Sequence, residues 1–111
     1  MTRPRIILAS GSAIRRQILT SAGVPFEAMK PDVDETVIKD AVQKDGVDLE
    51  TLAMMLAEAK CMDVARRTDA IVIGSDQIME FQGRAYDKPA DIAEARARLT
   101  EIQDASHTLI N

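Results

Sequence analysis

Small residues and cations gather near the start of the chain, where Ser10, Gly11 and Ser12 follow an apolar run and Arg15 and Arg16 come shortly after. Small residues let a ligand approach the backbone, and a helix opening behind them offers unpaired N–H donors, which is one way to hold a phosphate. At about 100° per residue, Arg15 borders the helix face carrying Ile14, Ile18 and Ala22, whereas Arg16 points away from it. Arg15 is therefore the expected anion ligand and Arg16 a solvated charge. An ordinary capped helix with surface arginines would use the same residues, because their spacing matches neither the P-loop nor the dinucleotide-binding glycine pattern.

A further cation, Lys60, falls inside the apolar stripe of a helical segment, where a lone ammonium is costly unless it meets an anion or snorkels to water. Acids occur as Asp32, Asp34 and Glu35 in a turn-like run and as Asp76 directly after a continuous apolar run. Carboxylates at strand ends beside phosphate-binding cations suit Mg2+, which takes few protein oxygens and keeps waters and substrate phosphates. Taken alone, the acidic run reads as a solvated loop, whereas Asp76 stands on a rigid element near the interior. Lys88 precedes Pro89, whose fixed backbone aims a neighbouring side chain.

Other residues narrow the chemistry. His107 is the only histidine and has no nucleophile paired with it, which argues against a Ser–His or Cys–His hydrolase. Cys61, the single cysteine, excludes an intramolecular disulfide and a Cys-based zinc site and is expected to be a small buried hydrophobe. Met54 and Met55 read as packing residues.

The elements that must position these groups follow from periodicity. Arg5 to Ser10 reads as a buried strand, Ala13 to Ala22 as a helix capped by Ser12 and stopped by Gly23, and Phe26 to Met29 as a short strand closed by Pro31. Thr36 to Asp45 is expected to be partly helical. Asp48 caps the longest helix, whose stripe runs through Leu49, Leu52, Ala53, Leu56, Ala57, Cys61 and Val64. Ala70 to Ile73 lacks polar alternation, as a central parallel strand covered on both faces would. Ile78 to Phe81 and Ala85-Tyr86 predict a hairpin turning at Gly83, Asp91 to Ile102 a helix with Ile92, Ala95 and Leu99 on one side, and Ser106 to Ile110 a final strand. That order predicts an α/β fold, a layered mixed sheet with helices on its faces. Ligands in such sheets sit beyond the carboxyl ends of the strands, where both Ser10 and Asp76 fall.

Bulk properties agree with this. At 111 residues and 46% hydrophobic content the chain suits one domain and one core. A net charge of −4 argues against a nucleic-acid or anionic-membrane surface. No apolar stretch approaches the ~20 residues of a membrane helix, and no signal-type segment follows Arg3 and Arg5, so a cytoplasmic location is expected.

With these residues assembled, the sequence resembles the Maf family of nucleotide pyrophosphatases. The blocks that carry the resemblance, in family order, are LASGSAIRRQIL, DVDE, LAEAKC, IVIGSDQI, KPADIAEARARL and SHTLIN. The resemblance implies a Maf/ITPase-like fold and hydrolysis of a nucleoside triphosphate to the monophosphate and pyrophosphate with a divalent metal, Mg2+ or Mn2+. It implies that Ser10, Ser12 and Arg15 hold phosphates, that Glu35 and Asp76 serve the metal and the attacking water, and that Lys60 and Lys88 contact the triphosphate, Lys88 beside the catalytic carboxylates. The GSDQ form at Gly74 to Gln77 looks like the branch acting on 7-methyl-GTP, with Gln77 in substrate binding. Ile14, where dTTP- and UTP-cleaving members tend to carry arginine, agrees. Ala13 replaces the usual proline at little cost, since alanine is a good helix former.

Members of the family are longer. The expectation is a single Maf-like domain over residues 1–111, truncated, with the C-terminal part of the fold absent and an open sheet edge and apolar surface left uncovered, unless a partner in a homodimer covers them. The alternative is a catalytically impaired nucleotide-binding module or a division-related regulator. A phosphoacceptor receiver domain fits poorly, because such domains place their acids just after the first strand, where this chain has Ser-Gly-Ser.

Overall fold

A computed structural model describes residues 3–86 and 89–111. In chain order it contains β1 (Ile6–Ala9), α1 (Ala13–Ser21), β2 (Glu27–Ala28), α2 (Glu35–Lys44), α3 (Leu49–Ala65), β3 (Ile71–Gly74), β4 (Ile78–Phe81), β5 (Arg84–Tyr86), α4 (Ile92–Ile102) and β6 (Thr108–Ile110). The α/β architecture is as expected. The strands divide between two small sheets: β1 lies between β2 and β3, all parallel, and β4 lies between β5 and β6, all antiparallel.

Local chemistry explains the element ends. Ser12 Oγ accepts from the Arg15 N–H and caps α1, and Asp48 does the same for α3 through the Thr51 N–H. Asp34 Oδ1 accepts from the Thr36 and Val37 N–H groups, so the acidic run is a helix cap and Glu35 opens α2 rather than sitting in a loop. In the hairpin Phe81 pairs with Arg84, and both turn residues, Gln82 at φ 52° and Gly83 at φ 75°, take the left-handed conformation that a tight antiparallel connection needs.

Helix α3 joins the two sheets. Its amino-terminal half places Leu52, Ala53 and Leu56 against Ile78 of β4, and its carboxyl-terminal half places Val64 against Ile7 and Ala9 of β1. Lys60 lies four residues from both Leu56 and Val64 on the same stripe, between the two apolar patches. Helix and sheet lie in close contact at Gly74, where a Cβ would stand 2.3 Å from the Ala57 carbonyl oxygen. Cys61 is half-buried, its Sγ donating to the Val72 carbonyl at 3.3 Å.

Several expectations are corrected. The central strand is β1; β3 is an edge strand of its sheet among the described residues, with Ile71 and Ile73 exposed at 53% and 36%. The run Ile-Val-Ile encodes coverage on both faces, but α3 reaches only the face of Val72 and Gly74. Met54 and Met55 are exposed rather than packed, because the apolar contacts of α3 run through Leu52, Ala53 and Leu56. The apolar face of α1, with Ile14 and Ile18, is exposed, as are Ile92 and Leu99 of α4. Among the described residues no helix is long and apolar enough to cross a membrane.

Candidate functional site

Ala9 of β1 pairs with Gly74 of the parallel β3, so the chain leaves both strands at the same end of the sheet. The segments that follow carry Ser10 and Asp76. Beside them opens a cleft of about 530 Å³ lined by Ser10, Gly11, Ser12, Arg15, Lys30, Pro31, Val33, Asp34, Glu35 and Lys60. Ser10, Ser12, Arg15, Glu35 and Lys60, chosen from sequence, therefore share one cavity, and Asp76 joins it through its ion pair with Lys60. Gln77 is exposed and does not line the cleft. Lys88 lies outside the described residues.

One side of the cleft is cationic and carries hydroxyl groups. Buried Ser10 turns its Oγ toward the following helix, accepting from the Ser12 N–H at 3.1 Å and from Arg15 Nη1 at 3.2 Å. These bonds set the turn and hold the guanidinium at its mouth. Arg16, one residue further round α1, is exposed. Lys30 adds another cation; its stem passes Gly11, where a Cβ would stand 3.8 Å from Lys30 Cγ. Sequence reasoning did not single out Lys30, which only the fold brings opposite Gly11.

The other side holds the carboxylates. Lys60 Nζ donates to Asp76 Oδ1 at 2.7 Å and pairs with Glu35 Oε1 at 2.5 Å. Asp76 is deep, its side chain 8% exposed, whereas Glu35 stands at the mouth at 41%. Burial pulls the Lys60 pKa down, but the hydrogen bonds to Asp76 and Glu35 and the charges of both carboxylates outweigh it and raise the ammonium above the usual lysine range. Lys60 thus does not snorkel to water. It is fully charged, and the trio is net negative.

A second acceptor on Asp76 lacks a partner among the described residues: Oδ2 is buried and receives no hydrogen bond from them. An unsatisfied buried carboxylate oxygen costs about 1–3 kcal/mol or more, so such an atom marks a place where a cation or donor fits. Among the described residues no group of three or more His, Cys, Asp or Glu side chains converges. Mg2+ needs only one or two carboxylates when phosphate and water complete its shell, and Asp76 with Glu35 fits that requirement.

The loop that carries this side is tied to α3. Asp63 Oδ2 accepts from the Asp32 N–H at 2.9 Å and from Arg67 Nη2 at 2.9 Å, which fixes the stretch running into Glu35. Sequence reasoning also missed Asp63. Its only sequence-level signal is the i,i+4 pairing with Arg67, common on any solvated helix face.

Comparison with known proteins agrees with the geometry. A family model described as "Maf-like protein" matches residues 5–111. A 7-methyl-GTP pyrophosphatase of Rhizobium meliloti (strain 1021) is 43% identical over 108 residues, covering 96% of this chain and 54% of the relative. Nucleoside triphosphate pyrophosphatases of Caulobacter vibrioides and Maricaulis maris are 40% and 45% identical, covering 98% and 95% of this chain and 55% and 53% of those relatives. The chain spans about half the length of the curated relatives it matches.

Proposed function

Because the chain belongs to the Maf family, we propose that it takes part in metal-dependent hydrolysis of a nucleoside triphosphate to the monophosphate and pyrophosphate, with 7-methyl-GTP the favoured substrate. The observation that carries the reading is the shared cleft, in which the Ser10–Ser12–Arg15 turn faces Lys60 bracketed by Asp76 and Glu35. The base preference rests on the relatives named 7-methyl-GTP pyrophosphatase and on the GSDQ run ending at Gln77.

In this reading Ser12 and Arg15 receive phosphate oxygens, Arg15 exchanging its bond to Ser10 for one to the ligand. Asp76 and Glu35 hold the divalent cation, Mg2+ or Mn2+. When bound, that cation neutralises the polyphosphate and makes water a better nucleophile at neutral pH. Asp76, acting from a nearly dry position, takes the proton of the attacking water as oxygen adds to the α-phosphorus and the bond to the leaving pyrophosphate breaks. Lys60 and Lys88 neutralise charge on the departing group.

The test is pyrophosphate release from 7-methyl-GTP, GTP, dTTP and UTP with Mg2+ or Mn2+. Release is expected to be fastest for 7-methyl-GTP and abolished by Asp76→Asn. A folded sample that releases none rejects the hydrolase reading for this chain. Binding without turnover is the second reading, and it is favoured by the exposed Ile71 and Ile73 of β3, which leave apolar surface beside the cleft-bearing strand ends uncovered. Calorimetry showing nucleotide binding with no pyrophosphate would select it.

A further inference from the structure

We propose that Lys60 is an exchangeable internal cation: in the nucleotide-free protein its ammonium holds the place between Asp76 and Glu35, and a divalent metal gains that place only when Lys60 withdraws to a phosphate. The inference rests on the function proposed above and concerns the order in which the ligands of that site enter.

The argument is one of charge and contact. Lys60 Nζ lies 2.7 Å from Asp76 Oδ1 and 2.5 Å from Glu35 Oε1, so the ammonium already bridges the two carboxylates that would hold the metal. With the ammonium in place the trio carries a single net negative charge, too little to hold a dication strongly, and the ammonium repels any dication bound to the same carboxylates. Once Lys60 leaves, two carboxylates face the dication and the charges match. The withdrawn ammonium then needs an anion of its own. It lines the same cleft as Ser12 and Arg15, so a polyphosphate held there supplies one, and the long lysine stem can swing while α3 stays fixed. The unpartnered Oδ2 of Asp76 gains a partner in the same event.

Metal and polyphosphate therefore bind as a linked pair, each raising the affinity of the other by the same factor. Metal alone meets a site that is already occupied. Glu35, at the mouth, is the partner from which Lys60 parts most easily, whereas Asp76 is the deep anchor.

The experiment measures Mn2+ binding by titration calorimetry without nucleotide, on the native chain and on Lys60→Met, Lys60→Gln and the double variant Lys60→Met/Asp76→Asn, each checked for folding by circular dichroism. The neutral variants are expected to bind Mn2+ at least about tenfold tighter than the native chain, as removal of a competing charge predicts, and the double variant is expected to lose that gain. A folded neutral variant with native Mn2+ affinity overturns the proposal. The native chain gives a measurement that does not depend on variants folding: the Lys60 13Cε NMR signal should move when Mg2+ and inorganic tripolyphosphate are added together and hardly at all with Mg2+ alone. A full shift with Mg2+ alone overturns it too. Pyrophosphate release without any gain in Mn2+ affinity removes the exchange and leaves the hydrolase reading standing, while the gain without release does the reverse.

Discussion

Replacing Gly74 by alanine places a methyl group where helix and sheet already touch. Its Cβ would lie 2.3 Å from the Ala57 carbonyl oxygen, 2.7 Å from Cys61 Cβ and 3.0 Å from Cys61 N. Comfortable separation between such atoms is about 3.5 Å, so α3 and β3 must part by roughly 1 Å. Overpacking of this kind costs about 1–3 kcal/mol, and the upper part of that range applies because two of the obstacles are backbone atoms that no rotamer change can move. In a domain of this size each ~1 kcal/mol lowers Tm by about 4–8 °C, so a fall of roughly 10–20 °C is expected. The site should suffer more than the fold. Lys60 rides on α3 and Asp76 follows β3, and their 2.7 Å hydrogen bond would stretch past bonding distance under the same displacement. Thermal melts by circular dichroism, with pyrophosphate release measured well below the new midpoint, would separate the two effects. Gly11→Ala is the control, because a Cβ there meets only the Lys30 stem at 3.8 and 3.9 Å and stability should stay within about 0.5 kcal/mol of native. A Gly74→Ala protein that melts with the native chain would refute the close approach from which the magnitude was worked.

Leu56→Ala, at a fully buried position between α3 and β4, should cost about 2–5 kcal/mol by urea titration, enough to unfold much of a small domain. Because the Lys60 pKa is raised on folding, the stabilisation its charge supplies is fully present below the ordinary lysine value of 10.5 and is lost as pH rises through the higher folded value. The difference in urea midpoint between the native chain and Lys60→Met should therefore be flat from neutral pH up to about 10.5, shrink above it and vanish beyond the folded value; a difference that shrinks near pH 7 would contradict the ion pairing. Asp63→Ala should speed amide hydrogen exchange at Asp32 and weaken Mn2+ binding while leaving the α3 core intact, and unchanged exchange at Asp32 would show that Asp63 does not anchor the loop.

Much of this arrangement is legible in the sequence because the signals are local. Ser12 and Asp48 announce helix starts through their capping chemistry, Gly83 announces a turn, and Lys60 stands out as a charge on an apolar stripe. Pairing between distant segments carries no such local mark. The apolar run ending at Gly74 predicts a covered central strand but carries no mark of which strand lies beside it, and among the described residues β3 stands at an edge. The antiparallel β4–β6 pairing gives the second sheet, yet nothing in either segment forbids adding to the first. Glu35 differs from expectation by a single position, because the run Asp-Val-Asp-Glu does not show which of its acids caps the following helix, and Asp34 does. Lys30 and Asp63 escaped notice for a related reason: each is an ordinary exposed-type residue made relevant by what the fold sets against it.

The separation of the two sheets explains why a lysine can occupy position 60 at all. Had both lain in one continuous layer beneath α3, the stripe of Leu56, residue 60 and Val64 would have faced an unbroken apolar surface, where an apolar residue packs best. Instead Leu56 packs toward β4 and Val64 toward β1, and the helix bridges the gap between them with an ammonium that finds its anions at the strand ends. Such a trio is weak evidence for stability, because the desolvation of three charged groups offsets most of their attraction. The unpartnered Asp76 Oδ2 makes the balance worse. A sequence shaped by folding alone would place leucine in this gap and do without both acids, so the charge here is a stability cost of the kind that the proposed function would account for. In the exchange proposed above, that cost would set the direction: a site held slightly short of satisfied by its own lysine would gain free energy when a phosphate-bound dication replaced it, whereas a satisfied one would resist the ligand.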